Sequence, residues 1–316
     1  MRIRILSAAL VLSFGLIGSA PAQFREGDAG GAKTEQSRVQ QLRAGVEVRA
    51  IGGPCSGLVG YTTVPMDWPE QQVRIVNEDI SPTARVGYVM VGEGAKMMVV
   101  RVPFLAAGQE AKAVVTFEVR RSAILPPDDT DAYVLPDSRR IPRDVRIFLG
   151  PSPKIESRNT KIRSLSKQIG ADQQKAWDRV EAIYDWVREN VEYKNGPLKG
   201  AVAALQDGSG DCEELTSLFI AICRAAGIPA RTVWVQGHCY PEFYLNDAED
   251  KGHWFPCQAA GTRAFGGIPE YRPVLSKGDN FRPPYNRRDQ QRYPADHLIG
   301  TGGRPRVKFI REMDSD

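Results

Sequence analysis

The stretch from Gly208 to Gln258, GSGDCEELTSLFIAICRAAGIPARTVWVQGHCYPEFYLNDAEDKGHWFPCQ, restricts this chain more than any other. Leu215, Leu218, Phe219, Ile222, Cys223 and Ala226 recur at helical spacing and form one apolar stripe. Gly227 supplies the stop, and Pro229 follows two residues later. Gly208-Ser209-Gly210 lets the backbone turn sharply into this helix, so Cys212 falls in its first turn. Backbone N–H groups lack partners there and the helix dipole is positive. Such a field favours thiolate over thiol, and thiolate is the nucleophile. Asp211 is read as the helix cap, with Glu213 turned to water.

The second half of the stretch supplies a base. A β-rich run, Arg231 to Gln236, precedes a hairpin from His238 to Gln258 whose turn spans Asn246 to Asp250. A turn centred on Ala248 sets His238 opposite Gln258 and Cys239 opposite Cys257. Period-two alternation then places His238, Tyr240, Glu242, Tyr244, Trp254 and Gln258 on one face, with Cys239 and Cys257 on the other. If the helix start abuts the first face, Cys212, His238 and Gln258 meet. Tyr240, Trp254, Asp211 and Glu242 are candidate supports. Glu242 is either a substitute third member or the partner of an arginine. His253 is a rival base, but its odd number puts it on the other face, as an ordinary hairpin histidine.

GDCEELTSLFIAICRAAGIPAR, followed by a His-centred strand and a W-x-P strand, resembles the transglutaminase-like superfamily over roughly residues 160 to 260. The resemblance implies a papain-like core with a Cys–His–Asp triad, in which Cys212 matches the nucleophile and His238 the general base. The family's Asp falls on Gln258, a departure. A neutral amide still accepts the imidazole N–H and fixes its tautomer. It does not stabilise an imidazolium by charge. Cys212 lies only 26 positions before His238, short for the family, as though a loop had been trimmed.

The resemblance implies acyl transfer through a Cys212 thioester. The leading expectation is an enzyme hydrolysing peptide or amide bonds, with a peptide or protein substrate and cell-wall cross-links among the candidates. Two alternatives stand beside it: transfer to an amine at the same site, and a catalytically silent binding module. No metal-ligand spacing occurs, and neither a metal nor another cofactor is expected. A net charge of +4 is too mild to imply a nucleic-acid partner, and no nucleic-acid-binding motif is present.

The rest of the chain is expected to frame that unit in an α+β fold. Met1-Arg2-Ile3-Arg4, an apolar run from Ile5 to Gly18 and Ala20-Pro21-Ala22 read as a cleaved export signal over residues 1–22. This predicts a periplasmic or extracellular protein with no stable membrane insertion after cleavage. In an oxidising compartment Cys239 and Cys257 form either a cross-strand disulfide or two buried thiols. Cys223 lies on the helix stripe as a core residue, and Cys212 is the odd thiol left over. The state of Cys55, in a turn, stays open.

Polar residues 23–45 read as a linker. Residues 46–150 read as a β-sandwich of immunoglobulin-like type, clearest at Ala113 to Val119, where every odd position is apolar. The catalytic domain occupies 151–262, with helices carrying Ile162, Leu165 and Ile169, then Ala176 through Val191, then Leu198 to Leu205. Trp177, Tyr184 and Trp186 flank the second of these. Residues 263–316 read as an irregular basic extension packed on the core, its arginines and tyrosines, Arg292 and Tyr293 among them, forming either a solvated wrap, the favoured reading, or a groove rim for an anionic or polymeric substrate. Arg306 to Arg311 is a candidate last edge strand.

Overall fold

The computed structural model describes residues 33–313; the expected export signal at 1–22 lies outside them. The N-terminal half is built of β1 (Lys33–Ala50), β2 (Cys55–Val64), β3 (Gln71–Ile80), β4 (Arg85–Val91), β5 (Ala95–Leu105) and β6 (Glu110–Leu125). On β6 the residues Ala111, Ala113, Val115, Phe117 and Val119 all enter one core, as a period of two requires. Facing them are Leu58, Met98, Val100 and Val102 of the opposite sheet. Two antiparallel sheets thus pack face to face, as the alternation indicated.

Strand β1 corrects the expected linker. From Lys33 to Gln41 its side chains are largely exposed on both faces, yet its backbone pairs with β6 from Lys33↔Leu125 to Arg49↔Glu110. Apolar periodicity does not register a strand half held by its main-chain ladder alone. From Leu42 onward Leu42, Ala44, Val46 and Val48 turn inward and the pattern returns.

The chain leaves the sandwich after Leu125, earlier than the expected boundary at residue 150. Tyr133 already belongs to the second core, with its ring 4.8 Å edge-on to Phe255. That core gathers α2 (Thr160–Gln168), α3 (Ala176–Asn190), α4 (Ala201–Asp207) and α5 (Cys212–Ala225); the short α1 (Arg143–Arg146) precedes them. Trp177 and Tyr184 are buried in it, as core rather than groove wall. Two-residue strands β7 (Glu192–Tyr193) and β8 (Ser209–Gly210) pair in parallel just before α5. The helices lie against β9 (Ala230–Val235), β10 (His238–Asn246) and β11 (Gly252–Pro256).

The extension at 263–316 is not irregular. It contributes β12 (Val274–Lys277), β13 (His297–Gly302) and β14 (Pro305–Met313), the last being the anticipated edge strand, paired with β1. One sheet therefore runs β14-β1-β6-β3, and the other β11-β10-β9-β12-β5-β2-β13 with β4 on β5. Strand β12 is the seam between the two halves. Lys277 N–H donates to Gly94 O at 2.8 Å, an approach so close that any side chain at Gly94 would strike that Lys277 carbonyl.

Buried charge fixes the seam. Arg224 of α5 donates to both carboxylate oxygens of Asp279, at 2.9 and 2.8 Å, with both side chains at most 1% exposed. Lys277 bridges Glu242 (2.7 Å) and Glu70 (2.8 Å), and Arg231 adds a second cation on Glu242 at 2.8 Å. Lys277 and Asp279 of the segment find partners far away in sequence, at Glu70, Glu242 and Arg224, so composition alone made the segment look like a solvated wrap.

Candidate active site

Helix α5 starts where it does because of three residues before it. Gly208 closes α4 in a left-handed conformation at φ 62°. Asp211 is the N-cap, its carboxylate accepting from Glu213 N–H at 2.8 Å. Glu214 completes a capping box by accepting from Asp211 N–H at 3.2 Å, and it also takes Lys199 N–H at 2.9 Å. Gly210 must lack a side chain because Glu214 occupies that space. The Asp-x-x-Glu signature was legible at 211–214 and identifies Glu214 as a residue that sets the helix start. Cys212 is consequently the first helical residue, half-buried at the floor of a cleft.

His238 opens β10 after a tight turn at Gly237, whose φ is 67°. Helix α5, strand β9 and this short turn fill the interval from Cys212, which accounts for the close spacing. Gln258 follows β11, its backbone held by Ala264 O (2.8 Å), Tyr184 OH (2.9 Å) and Arg188 Nη1 (3.0 Å). Its Oε1 lies 2.9 Å from His238 Nε2. An amide oxygen accepts, so Nε2 carries the proton and the other ring nitrogen is left for the sulfur. The Cys212–His238–Gln258 constellation drawn from the sequence comes together.

The route to it differs from the expected one. The hairpin pairs Glu242↔Pro256, Phe243↔Phe255 and Tyr244↔Trp254, so its turn centres one residue later, on Glu249. Every partner slips by two positions. Moreover α5 covers the odd face of β10, where Phe243 and Leu245 enter the helical core. The odd face is the apolar one, and that contrast with Glu242 was the available sign of where a helix must pack.

Cys239 is therefore turned toward the site and not away from it. Its Sγ lies 3.6 Å from Cys212 O, and Thr216 Oγ1 donates to Cys239 O at 3.5 Å. Cys257 packs elsewhere, donating its N–H to Pro241 O at 3.0 Å. All five cysteines are free thiols, so of the two readings for Cys239 and Cys257 the structure has the pair of buried thiols and not the disulfide. Alternation fixed which residues share a face but not which face the helix takes.

The electrostatics follow from these contacts. Hydrogen bonding from the Cys239 thiol is the largest influence on Cys212; with the His238 ring and the Cys239 N–H it outweighs burial and holds Cys212 down to about 4. Burial pushes the Cys239 thiol well up, so it stays a donor. Burial also works against charge on His238, but hydrogen bonds to Cys212 and Gln258 prevail and raise it above its ordinary value. The result is a thiolate–imidazolium pair.

Of the other candidates, Asp211 caps the helix as expected. Glu213 does not turn to water: Arg292, nearly buried, pairs with it at 3.0 Å and stacks 5.5 Å over Trp234. Tyr240 is wholly buried and accepts from Arg121 Nη2 at 2.7 Å. Glu242 is the ion-pair partner of Arg231 and Lys277, not a third catalytic member. Trp254 lies under Arg231, 4.0 Å from its guanidinium. His253 pairs with Asp247 at 2.7 Å, as an ordinary hairpin histidine.

The cleft above Cys212 has a volume of about 630 Å³. Tyr193 and Asn195 line it before α5, Trp234 from β9 and Gln236 from the turn after it, Thr63 from the sandwich, and Tyr293 from the C-terminal segment. Both halves of the protein thus wall one site. Tyr293 fits the groove-rim reading of the C-terminal segment, whereas Thr63 becomes a neighbour of Cys212 only through the three-dimensional seam.

Residues 163–259 match the family described as the transglutaminase-like superfamily. An uncharacterized protein of Haemophilus influenzae is 24% identical over 135 residues, covering 41% of this chain and 36% of that protein. The chain thus spans about a third of the length of the curated relative it matches. Among solved structures, a cysteine protease candidate from Cytophaga hutchinsonii superposes with a TM-score of 0.60 at 19% identity, covering 90% of this chain and 94% of that one. The periplasmic domain of TgpA from Pseudomonas aeruginosa, bound to ethylmercury, gives a TM-score of 0.33 at 17% identity, over 68% of this chain and 89% of that one. With the matched core and the Cys–His pair in agreement, residues 163–259 are a core domain of the transglutaminase-like superfamily.

Proposed function

We propose that the protein is an exported, thiol-dependent hydrolase of peptide or amide bonds. One observation carries this reading: Cys212, His238 and Gln258 are hydrogen-bonded in series at a helix N-terminus, on the floor of a cleft. The Cys212 thiolate attacks the carbonyl carbon, and the electron pair moves to the carbonyl oxygen. The backbone N–H of Cys212, at the helix start, is the oxyanion donor. His238 gives its proton to the leaving amine, and a thioester remains. The now neutral His238 takes a proton from water, whose hydroxide releases the acid and returns the thiolate. Gln258 holds the ring through both proton transfers.

The cleft supports a peptide or protein as substrate, cell-wall cross-links included. Aromatic walls at Tyr193, Trp234 and Tyr293 suit an extended chain better than a small polar molecule. The positively charged start, apolar run and Ala-x-Ala site at the N-terminus support export. Among the described residues no helix is long and apolar enough to cross a membrane.

The test is cysteine alkylation against pH, read by mass spectrometry on the folded protein, beside hydrolysis of a peptide library. Rapid labelling of Cys212 near pH 6, slowed in His238→Ala, together with cleavage lost in Cys212→Ala, is the expected result. Labelling of Cys212 only above about pH 8, with no cleavage, would overturn the reading in favour of a binding module. Product analysis with an added primary amine separates hydrolysis from amine transfer.

A further inference from the structure

The site contains two sulfurs, and the hydrolytic mechanism needs one. Cys239 is wholly buried, and its thiol donates to the Cys212 carbonyl oxygen at 3.6 Å, which sets it beside the Cys212 sulfur whose negative charge it favours. The two residues come from different elements, the first turn of α5 and the second position of β10, and Thr216 Oγ1 ties those elements together next to the pair. Cys212 faces the cleft, so a small solute reaches it. Cys239 is sheltered from solvent and does not line the cleft. Such an arrangement of one open and one sheltered thiol is what a reversible oxidation requires.

We propose that Cys212 and Cys239 are a redox modification site, in which a hydroperoxide oxidises Cys212 and Cys239 resolves it as an intramolecular disulfide. In the first step the Cys212 thiolate attacks the peroxide, the O–O bond breaks, and Cys212 becomes the sulfenic acid Cys–SOH. With hydrogen peroxide the departing hydroxide takes the proton of the His238 imidazolium and leaves as water. In the second step the Cys239 sulfur attacks the sulfenic sulfur; the S–O bond breaks, and hydroxide leaves with the Cys239 proton as a second water. One peroxide is reduced by two electrons, two sulfurs are oxidised by one each, and His238 ends neutral.

The disulfide removes the nucleophile and the donor that stabilised it in one event, and a dithiol reductant restores both. Cys55, Cys223 and Cys257 are buried, and none shares a hydrogen bond with Cys212. The inference takes from the proposed function only the reactivity of Cys212; its readout needs no substrate.

Mature protein would be treated with two equivalents of hydrogen peroxide, enough to take a lone thiol to sulfinic acid, then alkylated, digested without reductant and mapped by mass spectrometry. The expected product is a linked pair of peptides carrying Cys212 and Cys239, with Cys212 alkylation lost and then restored by dithiothreitol. In Cys239→Ala, the same treatment carries Cys212 on to sulfinic acid, which dithiothreitol does not reverse. A different partner for Cys212, or sulfinic acid in the unaltered protein with no linkage, overturns the proposal. The linkage map of the unaltered protein decides the matter even where Cys239→Ala fails to fold. A Cys212–Cys239 linkage in a protein that cleaves no peptide would sink the hydrolase reading and leave this one standing.

Discussion

Strand β10 carries two charged constellations on the same face, four residues apart, and they are built to opposite ends. At His238 the charge pair opens onto a cleft, joins a thiolate to an imidazolium, and is oriented by one neutral amide. At Glu242 the carboxylate is sealed against solvent between Lys277 and Arg231, with Glu70 as a second acid on Lys277. Burial alone would drive the Glu242 carboxyl up, but the two cations hold it below its ordinary value. The first constellation has a free face for a reacting atom. The second has none, and its bonds join the two halves of the protein.

That contrast predicts opposite consequences for losing a group in each. Cys212→Ala should reduce peptide cleavage by on the order of 10⁴-fold or more, while changing folding stability by no more than about 1 kcal/mol. Glu242→Gln should do the reverse. It leaves Arg231 without its acid and Lys277 with Glu70 alone, a loss of about 3–5 kcal/mol, to be read as a shift in urea midpoint. Cleavage per folded molecule should hold. Were Glu242→Gln to abolish cleavage in protein that remains folded, the division between the two constellations would be wrong.

Gln258 sharpens the comparison from the catalytic side. Gln258→Ala removes one hydrogen bond to a charged ring, about 1.5–3 kcal/mol, so kcat should fall roughly 10- to 100-fold. Gln258→Glu puts a carboxylate where the amide stood. It stabilises the imidazolium, raises His238 further, and should move the alkaline limb of the pH–rate profile upward. An alkaline limb unmoved by Gln258→Glu would show that Gln258 does not orient His238 in turnover.

The acid side belongs to Cys212. With the thiolate held down to about 4, alkylation in the native protein should be half-maximal near that pH. Removing a donor destabilises the thiolate, so both Cys239→Ala and His238→Ala should move the midpoint up, toward 9.0. Cys239→Ala should move it further, because its thiol is the larger influence. The reverse order would make His238 the dominant partner and reduce Cys239 to packing.

How far the sequence disclosed all this depends on what each pattern encodes. Cys212, His238 and Gln258 were legible because a helix start, a strand start and a W-x-P strand are local signatures, and a one-residue shift in the turn did not separate them. Cys239 was misplaced because alternation leaves open which face a helix will cover. The apolar Phe243 and Leu245 beside the charged Glu242 contained that answer. The seam was hidden for another reason. Val274, Leu275, Ser276 and Lys277 are all buried, so β12 shows no alternation, and its partner Ala95 is remote in sequence. The first half of β1 was invisible because backbone pairing, not burial, holds it.

Trp254 offers the finest test of the division, because it shares the His238 face of the hairpin yet stands with the structural group. Arg231, which carries part of the Glu242 charge, rests 4.0 Å over its ring, and Phe148 meets that ring edge-on at 5.6 Å. Trp254→Leu keeps apolar bulk but deletes the π face beneath the guanidinium. The expected cost is about 0.5–1 kcal/mol, visible as a small drop in urea midpoint, with Cys212 alkylation at pH 6 unchanged. Arg231 retains Glu242, so the loss stays small. If Trp254→Leu slowed that alkylation, the two constellations would be coupled along β10, and the buried charge at the seam would belong to the working site.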